Sequence, residues 1–158
     1  MKRLLLLAVL GACGGDPVNA EGTYTVSVTN RANGCNFMNW TIDNSAAGIQ
    51  VVINQEGESV NADVMGATRI YLDLILGSHV FQGDVDGNDL DMSITGTQKF
   101  TTGNCVDHTI DAQLRTTLDG DVLTGRINYT IVGTGSTCTP YDVQPSYGVQ
   151  VEPVPTIV

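Results

Sequence analysis

Apolar and polar residues alternate with a period of two through most of the chain, and this restricts the possible folds more than any other feature. Tyr24, Val26 and Val28 alternate with Thr23, Thr25, Ser27 and Thr29. The same pattern returns in Ile49-Val51-Ile53, Val60-Ala62-Val64, Ile70-Leu72-Leu74, Leu90-Met92-Ile94 and Ile110-Ala112-Leu114. It continues through Leu123, Ile127, Tyr129 and Ile131. Successive side chains of a strand point to opposite faces, so each run makes a strand with one buried and one wet side. No stretch of the body carries a sustained helical period. The expected class is therefore all-β. Strands are predicted near 22–30, 36–43, 49–55, 59–66, 69–76, 79–85, 89–96, 106–117 and 121–132.

Three connections share one design. Glu56-Gly57-Glu58-Ser59, Asp86-Gly87-Asn88-Asp89 and Asp119-Gly120-Asp121-Val122 each set an acid and a glycine between two alternating runs. Glycine supplies the positive φ that tight hairpins need. Hairpins in succession give an antiparallel up-and-down meander of about eight to ten strands. Closing such a sheet removes its exposed edges, so a barrel is expected, with a β-sandwich as the alternative. The layout resembles that of the calycins, although the Gly-x-Trp signature of lipocalins is missing from the first strand. Trp40 falls in the second predicted strand, as Asn39-Trp40-Thr41.

The amino terminus reads as an export signal. Lys2 and Arg3 precede an apolar run from Leu4 to Leu10, much shorter than the roughly 20 residues of a spanning helix. The run ends in Leu10-Gly11-Ala12-Cys13, which resembles the lipobox of bacterial lipoproteins. That resemblance implies a signal peptide over residues 1–12, lipidation of Cys13 and an exported chain held on a membrane. Gly14 after the cysteine points to the outer membrane, by analogy with enteric lipoproteins. Each buried acyl methylene contributes about 0.8 kcal/mol, so two or three chains anchor firmly where one does not. Cleavage after Ala20 is the alternative, but Pro17 and the distance from the apolar run fit it poorly. Residues 13–21 then read as the lipidated cysteine and a flexible tether, 22–138 as the antiparallel β domain and 139–158 as a Pro-rich C-terminal segment. An edge strand beginning at Tyr147 is expected to stop near Glu152, before Pro153.

The net charge of −10 argues against nucleic acid or an anionic lipid surface as the partner. Cys35, Cys105 and Cys138 remain once Cys13 is lipidated. An oxidising compartment favours a disulfide. Cys105–Cys138 would join the open end of one hairpin, and a bridge from Cys35 to either is the alternative.

Asp84, Asp86 and Asn88 occupy the first, third and fifth positions of a calcium-binding loop pattern. Asp89, however, stands where that loop needs glycine, and Thr95 where it needs a bidentate glutamate. A solvated hairpin turn accounts for them, and no metal or other cofactor is expected. Asp107 and His108 are neighbours on one strand and point to opposite faces, so the acid cannot orient the imidazole. With no Gly-x-Ser-x-Gly elbow either, no catalytic residue is assigned. Trp40 and Tyr129 are the candidates to line a ligand cavity, although ordinary core filling accounts for them too. The expected function is that of a non-catalytic, membrane-anchored envelope lipoprotein whose barrel binds a small apolar ligand or a partner protein. The alternatives are a structural or interaction module with a filled core and, more remotely, a hydrolase using two convergent carboxylates.

Overall fold

Gly57, Gly87 and Gly120 adopt the left-handed conformation, with φ of 63°, 58° and 60°. Their successors Glu58, Asn88 and Asp121 do not. Positive φ at the first central residue alone is the type II′ pattern, whose twist matches that of the flanking strands. These turns gather at one end of a barrel. The computed structural model describes residues 16–34, 40–102, 105–133 and 149–155.

The strands are β1 (Gly22–Thr29), β2 (Ser45–Glu56), β3 (Ser59–Val64), β4 (Val80–Asp86), β5 (Asp89–Ile94), β6 (Phe100–Thr102), β7 (Cys105–Asp119), β8 (Val122–Gly133) and β9 (Val149–Pro155). One helix, α1 (Gly66–Leu76), joins β3 to β4. Every pairing is antiparallel. The sheet runs β5-β4-β3-β2-β1-β9-β8-β7-β6, and β5 also pairs with β7. Pairing therefore passes full circle through eight strands, with short β6 added to β7. The fold is an all-β antiparallel meander curled into a barrel, which replaces the sandwich alternative. Eight strands leave an interior just wide enough for side chains or one small ligand. Ile53, Val60, Phe81, Leu90, Met92 and Leu114 are buried inward, each contributing about 1.5–3 kcal/mol of apolar burial.

Four local expectations change. Residues 69–76, predicted as a strand, belong to α1. Leu72 and Leu76, one helical turn apart, are its buried pair, while Ile70 and Leu74 are each 71% exposed. The apparent alternation is thus two helical faces sampled at every second residue. Gly77 ends the helix at φ 82°, its N–H donating to the Asp73 carbonyl at 3.0 Å, a left-handed cap.

The strand predicted over 36–43 is the second change: residues 36–39 lie outside the described residues, and 40–44 form a loop. Asp43 takes φ 63° there, and its N–H donates to the Asn30 carbonyl at 2.8 Å.

Third, β9 continues through Pro153 and Pro155 instead of stopping near Glu152. These prolines share one strand parity and pair with Val26 and Tyr24, while β8 accompanies β9 only as far as Val151. Their missing N–H groups can face the side on which the described residues supply no neighbouring strand, so no ladder bond to β1 is lost.

Last, the flexible tether predicted through residue 21 is docked from Val18 onward. The Val18 N–H donates to the Gly87 carbonyl at 2.8 Å. Gln55 donates to the Val18 carbonyl at 2.9 Å and accepts from the Ala20 N–H at 2.7 Å. Ala20 is fully buried and helps close the turn end.

Replacing a turn glycine should loosen this framework. Gly120→Ala forces an L-residue into the left-handed region, and is expected to cost roughly 1–2 kcal/mol. The check is a denaturant midpoint that falls with an unchanged slope.

Candidate functional site

The barrel end opposite the turns is covered by α1. The helix packs against β2 and β7, which stand across the ring from each other, so it lies over the mouth. Leu72 and Leu76 reach down into the core. His79, just before β4, ties the helix to the wall. Its Nδ1 lies 2.7 Å from the Asp73 carboxylate on α1, and its Nε2 lies 3.4 Å from Asp63 on β3. Arg69 approaches the other Asp73 oxygen at 3.8 Å. This Asp-His-Asp link was hidden in the sequence because residues 69–76 read as a strand. Once they are helical, Asp73 falls in the last turn and faces the residue that starts the return.

Beneath α1 lies a cavity of about 160 Å³. Val26, Ile49, Val51 and Val64 form one side, Leu114, Ile127 and Tyr129 the other, and Thr68, Tyr71 and Leu72 the roof. Tyr71 lines the cavity and is still 61% exposed, which places the opening beside it. The volume matches the roughly 150 Å³ of an engineered apolar cavity that stays dry and takes up benzene.

Few polar groups touch this space. The Tyr24 hydroxyl donates to the Ala20 carbonyl at 3.0 Å. Burial, and secondarily the Asp121 carboxylate, raise the Tyr24 phenol above its ordinary range. Burial, with Tyr71 adding in the same direction, pushes the Tyr129 phenol up to about 12. Both rings are therefore neutral at physiological pH. Thr116 is 6% exposed, and its hydroxyl has no hydrogen-bond partner. No lining residue is acidic.

Of the two aromatic candidates, Tyr129 lines the cavity and Trp40 does not. Trp40 packs edge-on against Tyr129, with ring centroids 6.5 Å apart and planes at 82°. Its indole N–H donates to the Arg31 carbonyl at 2.8 Å. The Trp40 ring thus supports the wall and fixes the loop that crosses this end.

The carboxylate candidates lie elsewhere. Asp84 and Asp86 are exposed on β4, and Asn88 sits at the turn. Register places Asp84 opposite Asp91, Asp91 opposite Arg115, and Arg115 opposite Arg126. The Asp91 carboxylate accepts from Arg115 and Gln113, each at 3.1 Å. These groups form a charged row across the outer surface, along a groove of about 690 Å³. Among the described residues, no three His, Cys, Asp or Glu side chains converge on a metal position. His108 is 5% exposed on β7 and does not line the cavity. Cys13, Cys35 and Cys138 lie outside the described residues, as does the side chain of Cys105. Comparison with family models, with curated proteins and with solved structures gives no match.

The Tyr129 phenol gives this wall a measurable signature. Its folded value lies above the unfolded 10.0, so its contribution to stability is complete below pH 10 and is lost as pH rises toward about 12. Phenolate absorbance in the folded protein should show a late step near pH 12, and Tyr129→Phe should remove that step.

Proposed function

We propose that this protein is a non-catalytic, lipid-anchored envelope protein that holds a small apolar molecule inside its barrel. The observation that carries this function is the cavity of about 160 Å³, walled by aliphatic side chains, roofed by a clasped helix and large enough for a compact apolar ligand. Ligand sites combine apolar walls with a few placed polar groups, and this interior has that composition. A hydrolase would need two carboxylates in a cleft, and none lines this one.

Lipidation of Cys13 is proposed from the Leu10-Gly11-Ala12-Cys13 sequence, and outer-membrane placement from Gly14. The docked segment gives the anchor a geometric consequence. Four residues separate Cys13 from Val18, and the five steps between them can span at most about 18 Å. The lipid would then lie near the acidic turn end, with α1 and the opening at the far end of the barrel, away from the anchoring membrane. Anchorage would fix the protein in place, and uptake would occur from the opposite side.

A second function, binding an envelope protein, draws on the outer face of α1. Ile70 and Leu74 are each 71% exposed there, beside Tyr71. A partner seated on that face would also control the opening.

Two experiments test these proposals. The chain purified from its membrane should carry a small apolar molecule visible by native mass spectrometry. Ala62→Leu, which places a larger side chain at a buried lining position, should lower occupancy at least about tenfold while the strand signal in circular dichroism is kept. Repeatedly empty spectra, with no uptake of added benzene, would refute ligand binding. Separately, Cys13→Ser should abolish incorporation of labelled palmitate and release the protein from the membrane fraction. Unchanged labelling would remove the anchor.

A further inference from the structure

Among the described residues, Thr116 is the one cavity-lining residue with a buried side-chain polar atom that lacks a hydrogen-bond partner. It points inward from β7, between Leu90 of β5 and Gly125 of β8 in the same cross-strand row. Its methyl is committed to the β8 side, 2.7 Å from where a Cβ on Gly125 would stand. The hydroxyl is buried, has no hydrogen-bond partner, and belongs to a residue that lines the cavity. A buried hydroxyl left unpaired bears its full desolvation penalty. A bound water does not repair this well, since such waters hold two to four polar partners. The nearest lining positions on the same and adjoining strands, Leu114, Leu123 and Ile127, are apolar. Tyr24, the other deep polar group, already spends its proton on Ala20.

Thr116 is also far from the opening. It lies four residues along β7 from Ala112, the partner of Tyr129, or about 13 Å in an extended strand. A group that reaches it from the α1 end passes Tyr129 and the aliphatic walls first, while on its other side the residue borders the outer charged groove.

We propose that Thr116 is the hydrogen-bonding anchor of the cavity, and that the ligand is a compact apolar molecule with one hydrogen-bonding oxygen: an alcohol, a phenol or a ketone. The oxygen is seated inward at Thr116, and the apolar body lies against Leu114, Ile127 and Met92. This inference rests on the ligand-binding function proposed above and adds the chemistry that selects the ligand. Thr116 sets specificity. The apolar walls supply affinity that any hydrocarbon of similar shape would share.

Phenol and benzene test the assignment because they differ by a single hydroxyl. The full chain is titrated with each by calorimetry, as wild type, Thr116→Val and Thr116→Ser. The expected result is that wild type prefers phenol about tenfold, the ratio of one good hydrogen bond. Thr116→Val should bring the ratio near one while leaving benzene affinity within about threefold. Thr116→Ser should restore the preference. Thr116→Val is nearly isosteric and relieves an unpaired hydroxyl, so a thermal midpoint equal to or above wild type confirms that the variant is folded. A phenol preference that survives in Thr116→Val overturns the anchor, as does equal binding of the two compounds by wild type, and both results leave the ligand-binding function standing. Binding of neither compound by wild type overturns that function and the anchor together.

Discussion

Closure of the hydrogen-bonded ring is the constraint on which the rest of the molecule depends. Two junctions complete it: β5 against β7, and β9 between β8 and β1. With both made, pairing runs right round the ring, β8 and β9 meeting over Gly125–Ile127 and Val149–Val151. Each strand must then turn alternate residues into a space of fixed, narrow bore. Close strand approach is part of that geometry. Gly125 on β8 meets the Arg115 carbonyl and the Thr116 backbone so closely that no side chain would fit. The outer face is free to be charged, and the Asp84-Asp91-Arg115-Arg126 row runs across it. One end is shut by tight turns and by docked Val18 and Ala20. The interior therefore has its approach at the α1 end.

The helix caps the open end of this tube. It spans the mouth on two buried leucines and is linked to the wall through His79. The small share of polar atoms inside means that hydrocarbon contact dominates the energetics of anything enclosed. Along the barrel axis, docked Val18 lies at the turn end and the mouth lies at the far end.

Much of the strand framework was legible because a half-buried strand writes its faces directly into alternate residues, as Val60-Ala62-Val64 and Leu90-Met92-Ile94 do. The acid-glycine turns were legible because only glycine takes their positive φ without strain. The helix was not. Eleven residues containing Ile70, Leu72 and Leu74 satisfy period two and period 3.6 together, and the packing of Leu72 with Leu76 decides between them. Pro153 and Pro155 hid the extent of β9, because whether a missing N–H matters depends on a neighbour that the local sequence does not specify. The docking of Val18 was hidden for a similar reason: its partners, Gln55 and Gly87, are distant in sequence. Tyr129 was visible as an aromatic on an inward face. Thr116 was not, since a threonine in a strand is ordinary until its hydroxyl is found buried and unpaired.

Xenon uptake by crystals under gas pressure tests the hollow interior most directly, because xenon enters apolar cavities without needing a polar contact. A hollow barrel predicts an ordered xenon atom below α1, among Leu114, Ile127 and Val51. Crystals that retain the fold but admit no xenon, with side chains filling that space, would contradict it.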